Sequence, residues 1–172
     1  MINYNLQKIK ALVFDVDGVL SQQTVIMQPD GLPQRTVNIR DGYALQLAVK
    51  CGFRVAIITG AAIESIRKRY ETLGIQDVYL SCSRKIDTYQ QFLDKYGFLD
   101  EDIMYMGDDI PDFEVMQRCG LPCCPADAAS EIRQICTYIS PLSSGLGCAR
   151  DVIEQILEAQ GKWMRGIHAF SW

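Results

Sequence analysis

Apolar residues fall along this chain in two alternating rhythms. Short, nearly continuous runs at Lys10 to Phe14, Arg54 to Ile58, Val78 to Ser81 and Ile103 to Met106 read as buried strands, with weaker ones at Leu121 to Cys124 and Tyr138 to Ile139. Between them the spacing lengthens to threes and fours. Ile63, Ile66, Tyr70 and Leu73 stop at Gly74, and Ile86, Tyr89, Leu93 and Tyr96 stop at Gly97, the residue type that ends helices. Asp112 to Arg118 follows Pro111 at a helix start, and Ala149 to Gln160 carries Val152, Ile153, Ile156 and Leu157 on one face. Strand alternating with helix predicts an α/β protein, a three-layer α/β/α Rossmann-like parallel sheet. One segment breaks the alternation. Thr24 to Gln28 and Gln34 to Ile39 read as a β-hairpin (22–39) turning at Pro29-Asp30-Gly31.

Composition narrows the class of partner more than the fold. The length of 172 residues predicts one domain, here 1–161, with an apolar-aromatic tail over 162–172. A formal net charge of −4 offers no basic footprint for nucleic acid, and no apolar run approaches the roughly 20 residues of a membrane span. The polar N-terminus lacks a signal-peptide core, which predicts a cytoplasmic protein. Seven cysteines without a C-x-x-C pair, and one histidine (His168), read as reduced thiols rather than a disulfide framework or a zinc site.

Candidate chemistry clusters where strands run out. Asp15 and Asp17 stand two apart where the first strand meets Gly18, and carboxylates that close repel unless a cation or proton lies between them. Ligands of open α/β sheets bind at those strand ends. Mg²⁺, held by one or two carboxylates plus substrate phosphate, suits such a pair. Thr59-Gly60 ends the second strand with a hydroxyl and backbone N–H groups, an anion site. Lys85 opens a helix and brings a point positive charge. Gly107-Asp108-Asp109 ends the fourth strand, with Asp112 one turn on. Singly, each has a plain alternative as a turn, a solvated lysine or a helix cap.

Together, in the order Asp-x-Asp-Gly, Thr, Lys, Gly-Asp-Asp-x-x-Asp, they resemble the haloacid dehalogenase superfamily of phosphotransferases. The resemblance implies Asp15 as nucleophile and Asp17 as acid and base. It implies Thr59, Gly60 and Lys85 on phosphate, and Mg²⁺ held by Asp15, Asp108 and the Asp17 carbonyl, with Asp109 and Asp112 as supporting acids. Most relatives insert a cap domain, but the intervals Gly18 to Thr59 and Thr59 to Lys85 are too short for one that packs independently. Arg40-Asp41-Gly42 after the hairpin, a Gly-rich turn (Ser143 to Gly147), Arg150-Asp151 and the Ala159-Gln160-Gly161-Lys162 ending resemble a capless branch. That branch is the 3-deoxy-D-manno-octulosonate 8-phosphate phosphatase family of lipopolysaccharide precursor synthesis. It implies a homotetramer with active sites at subunit interfaces, and sugar-acid contacts from Arg40, Asp41, Gly42 and Arg69. Ala61 departs, since many members carry Arg there. The sibling 2-keto-3-deoxynononate 9-phosphate phosphatase stays open, and a receiver-like signalling domain is the rival from another class.

Overall fold

The computed structural model describes residues 1–171; Trp172 and the side chain of His168 lie outside the described residues. Six parallel strands form the central sheet: β1 (Ala11–Phe14), β4 (Arg54–Ile58), β5 (Asp77–Tyr79), β6 (Ile103–Met106), β7 (Leu121–Cys124) and β8 (Tyr138–Ile139). Their order is β5-β4-β1-β6-β7-β8. Ala11 pairs with Arg54 on one side and Ile103 on the other. The chain therefore winds outward from β1 in one direction and then the other. A crevice opens at the carboxyl end of β1, where the winding reverses.

The period of two along each strand divides the core. Leu12, Phe14, Val55, Ile57, Met104 and Met106 pack on one face with α1 (Ile39–Lys50), α2 (Glu64–Glu71) and α6 (Cys148–Ala159). Ala11, Val13, Ala56, Ile58, Ile103 and Tyr105 pack on the other with α3 (Lys85–Tyr96), α4 (Phe113–Arg118) and α5 (Ser130–Ile135). The three-layer expectation holds. All seven cysteines are free thiols. No helix among the described residues is long and apolar enough to cross a membrane.

Two expectations shift, and one helix carries no signal in the sequence. The strand expected at Val78 to Ser81 runs over Asp77–Tyr79 and stops before Ser81, which takes φ 57°. Helix α5 carries only Ile132 as a buried residue, too little periodicity to be seen in the sequence. The hairpin is an arm with two-residue strands, β2 (Ile26–Met27) and β3 (Pro33–Gln34). Its second strand ends early because Asn38 caps α1, its Oδ1 accepting the N–H groups of Arg40 and Asp41. The tail lies along α1 in the single chain: Trp163 packs edge-on against Tyr43 at 6.2 Å, Tyr43 donates to the Ala169 carbonyl, and Lys50 donates to that of Ser171.

Asp41 ties α1 to α6. Its Oδ1 accepts the Arg150 N–H at 2.7 Å, filling an orphan donor in the first turn of α6. Burial pushes its carboxyl up to about 6, against the pull of that hydrogen bond. The folded chain thus holds this proton more tightly than the unfolded chain. Asp41 adds most stability below about pH 4, and the addition shrinks as pH rises through about 6. Asp41→Ala is expected to cost about 1 kcal/mol or more through the lost cap. Urea melts of both proteins should show the gap narrowing between pH 4 and 7; a constant gap would refute the linkage.

Candidate active site

At the carboxyl ends of β1, β4 and β6 lies a cleft of about 680 Å³. Six carboxylates line it (Asp15, Asp17, Asp108, Asp109, Asp112 and Asp127), against Lys85 as the one cation among the described lining residues. Asp15 follows β1 directly and is buried, its N–H bonded to the Met106 carbonyl of β6. Lys85, the first residue of α3, reaches Asp15 Oδ2 at 2.8 Å and Asp112 Oδ1 at 2.7 Å. Burial alone would lower its pKa, but the two carboxylates outweigh it and hold the ammonium above the ordinary lysine value.

Asp112 is the most heavily bound of these acids. Besides Lys85, its Oδ1 accepts the Tyr105 hydroxyl at 2.6 Å, and its Oδ2 accepts the Asp108 N–H at 3.2 Å. Burial and the Asp112 charge keep the Tyr105 phenol protonated, so towards that carboxylate it is the donor. Gly107 permits this packing, because a Cβ there would stand 2.4 Å from Asp112 Cγ. Gly18 plays the same part for Asp108. It takes φ +84°, and a Cβ would fall 1.9 Å from Asp108 Oδ2. The glycines next to the acids are there to let carboxylates approach backbone.

The carboxylates of Asp15, Asp108 and Asp112 bring ligand oxygens within 4.8 Å of one another. Burial, reinforced by the neighbouring negative charges, pushes Asp15 up to about 7 and Asp108 to about 8. Asp15 Oδ1 is buried without a hydrogen-bond partner among the described residues. Since Lys85, Tyr105 and the Asp108 N–H already occupy Asp112, Asp15 and Asp108 are the carboxylates left to hold a cation. The Asp17 carbonyl stays outside the local bridge, which uses the Val16 carbonyl and the Gly18 N–H. This oxygen-only set fits a hard dication such as Mg²⁺.

Thr59 is buried at the end of β4, with Gly60 and Ala61 beside it along the cleft; its hydroxyl accepts the Ala61 N–H at 3.2 Å. Asp109 is exposed on the cleft wall. The Asp17 side chain is gripped by Arg35 of the arm through two bonds of 2.6 and 2.7 Å. Arg40, Asp41, Gly42 and Arg69 do not line this cleft in the single chain: Arg40 is exposed beside α6, and Arg69 lies against Gly42. The sequence reading missed Tyr105, Arg35 and Asp127. Tyr105 sits in a plain apolar strand and Arg35 in a surface-like hairpin, so neither carried a signal. Asp127 anchors the Gly-rich turn, accepting the Ser144 N–H and hydroxyl at 2.8 Å each.

A family model of haloacid dehalogenase-like hydrolases matches residues 77–150. The chain is 36% identical over 156 residues to 3-deoxy-D-manno-octulosonate 8-phosphate phosphatase of Escherichia coli K12, covering 91% of this chain and 83% of that enzyme. The chain belongs to that phosphatase family. The Yersinia pestis enzyme of the same name superposes with a TM-score of 0.89 at 34% identity, over 92% of this chain and 85% of that one. The Moraxella catarrhalis enzyme, solved with a magnesium ion, a phosphate ion and a KDO molecule, gives 0.87 at 29% identity, over 91% and 90%. As a member of this haloacid dehalogenase-like phosphatase family, the chain is a phosphomonoesterase.

Two outcomes follow from the crowded carboxylates. Because Asp15 and Asp108 must shed protons to ligate a cation, Mg²⁺ affinity is expected to fall as pH drops through 8 and then 7. Calorimetry in buffers of different ionisation enthalpy should register proton release at pH 7; a constant affinity from pH 6 to 9 would contradict this. Gly18→Ala should displace the Asp108 carboxylate and weaken Mg²⁺ binding at least about tenfold, as loss of a well-placed ligand or its support does. Unaltered affinity would mean that Asp108 is not a ligand.

Proposed function

We propose that this phosphatase hydrolyses 3-deoxy-D-manno-octulosonate 8-phosphate to the free sugar acid and phosphate through a phosphoenzyme on Asp15. The observation that carries the reading is the Asp15 carboxylate itself. It is buried at the cleft floor, fixed by Lys85 through one oxygen, and its other oxygen has no partner among the described residues. A carboxylate so oriented can attack phosphorus and split one hard displacement into two easier ones. Thr59 and Gly60 offer a hydroxyl and an N–H to the phosphoryl oxygens, and Lys85 adds charge where negative charge accumulates. Mg²⁺, held by Asp15, Asp108 and the Asp17 carbonyl, supplies the further positive charge that keeps Asp15 ionised and offsets the phosphoryl oxygens. Asp17, on the exposed side of the pair, protonates the departing alcohol and then takes a proton from water. The substrate assignment draws on the relatives of that name.

The same reading includes a homotetramer. Ile26, Met27 and Val37 are exposed on an arm whose short strands leave their outer edges unpaired, the kind of surface that self-association covers. Met164, Ile167 and Phe170 of the tail are exposed as well, material for a contact between subunits. A closed assembly would bring Arg40 and Arg69 to a neighbour's cleft, which neither lines in its own chain.

Asp15→Asn is expected to lower kcat on the order of 10³-fold or more, since the amide is neither nucleophile nor good metal ligand. Circular dichroism should show an unchanged fold, and retention of a tenth of the activity would remove Asp15 from its role. Substrate choice is tested by kcat/KM on the eight-carbon sugar-acid phosphate, 2-keto-3-deoxynononate 9-phosphate and p-nitrophenyl phosphate. The eight-carbon substrate should lead the nine-carbon one by about tenfold or more, the discrimination a few lost contacts supply. A reversed order would assign the chain to the sibling activity.

A further inference from the structure

Arg35 belongs to none of the sequence motifs that mark the site. It follows β3 on the arm, yet its Nε reaches Asp17 Oδ1 at 2.6 Å and its Nη2 reaches Oδ2 at 2.7 Å. Its side chain is only 15% exposed, against 40% for that of Asp17, so the guanidinium is the more enclosed partner. A fork-on-fork pair fixes the plane of a carboxylate as well as its position. The pair is also a tie between arm and body. The arm's own strands bond to each other, and the Gln22 N–H reaches Thr36 Oγ1 within it at 3.4 Å. Besides Arg35, its side-chain ties to the body are Gln23 Nε2 to the Asp127 carbonyl at 2.8 Å and Asn38 Nδ2 to the Gly145 carbonyl at 3.0 Å.

We propose that Arg35 is a positioning residue for the phosphatase reaction: it orients Asp17 and makes proton transfer depend on the seating of the arm. This rests on the reading of Asp17 as acid and base. In the first half-reaction an Asp15 oxygen bonds phosphorus, the bond from phosphorus to the alcohol oxygen breaks, and the Asp17 proton passes to that oxygen. In the second, water oxygen bonds phosphorus, the bond to Asp15 breaks, and Asp17 takes the proton water gives up. Each transfer needs one Asp17 oxygen turned to the reacting oxygen. Each Asp17 oxygen keeps a second lone pair beyond the Arg35 fork, so one can face the reacting oxygen while the fork keeps the carboxylate in place. A fork of donors can do this, whereas a lysine ammonium is a point charge that does not fix the carboxylate plane.

The test uses the full chain with Mg²⁺ and compares Arg35→Met, Arg35→Lys and Asp17→Asn. Single-turnover rates are measured on a simple alkyl phosphate, whose alkoxide must be protonated, and on p-nitrophenyl phosphate, whose phenolate leaves without a proton. Arg35→Met is expected to slow the alkyl ester about 10–100-fold, below the full worth of acid–base help. It should change p-nitrophenolate release and KM by less than about threefold, the split expected when only a transition-state interaction is lost. Arg35→Lys should recover part of the alkyl-ester rate, and adding Arg35→Met to Asp17→Asn should slow it no further. Equal slowing of both esters, or additive losses in the double variant, would overturn the proposal, because a merely structural arginine moves both rates. If Asp17→Asn shows the leaving-group signature and Arg35→Met does not, the Arg35 role fails alone; if Asp17→Asn lacks it, the Asp17 reading fails. Should Arg35→Met unfold by circular dichroism, Arg35→Lys carries the same comparison of esters.

Discussion

Three buried carboxylates converge on one ammonium at the carboxyl ends of β1 and β6, and most of the surrounding structure exists to make that tolerable. An unpaired buried charge costs several kcal/mol, and a pair recovers this only with good geometry and further hydrogen bonds. Lys85 meets Asp15 and Asp112 at 2.8 and 2.7 Å, and Asp112 is completed by Tyr105 and the Asp108 N–H. Even so, one positive charge does not balance three acids. The excess appears as carboxyls pushed up to about 7 and 8 at Asp15 and Asp108, and as an Asp15 oxygen without a hydrogen-bond partner among the described residues. That residual imbalance is the working feature, since it is what a dication and a phosphoryl group enter to resolve.

The imbalance also explains the local sequence. Gly18 and Gly107 stand beside the acids because a Cβ at either would fall inside a carboxylate. Tyr105 is an aromatic in a strand otherwise filled with aliphatic and methionine side chains because Asp112 needs a donor that stays protonated. The doubly wound sheet supplies the place. At the switch point beside β1 the ends of three strands bring Asp15, the Thr59 hydroxyl and Asp108 to one wall.

Much of this was legible in the sequence, for an identifiable reason. Parallel strands buried on both faces read as apolar runs, so β1, β4 and β6 and the acids that end them stand out. The glycines that close α2 and α3 marked their ends well, with Gly97 in the left-handed conformation. What escaped was whatever depends on distant pairing. Arg35 and Asp17 lie 18 residues apart and meet only because the arm folds back, while the arm's strands are too short for alternation to report their register. Asp41 looked like part of a substrate motif, yet in the single chain its carboxylate holds the first turn of α6 from 109 positions away. The tail gave an apolar composition but no direction, and Tyr43, which receives it, is an ordinary position on α1.

The two acids of the opening motif end up in opposite physical settings, and this division suits a site without a cap. Asp15 is buried, tied to a rigid core through Lys85 and the β6 backbone. That setting suits its proposed role as nucleophile, which must not wander, because misplacement by an ångström forfeits much of the rate. Asp17 points to the exposed side and is tied to the arm, whose other side-chain bonds to the body come from Gln23 and Asn38. As the proposed acid and base, Asp17 would meet an alcohol and then water in turn, so a support that can shift would serve it better than a locked one. In a capped relative, closure over the substrate would bring order to such a group. Here the arm's guanidinium would stand in that place, joining the proposed acid and base to an exposed element tied to the body at a few side chains.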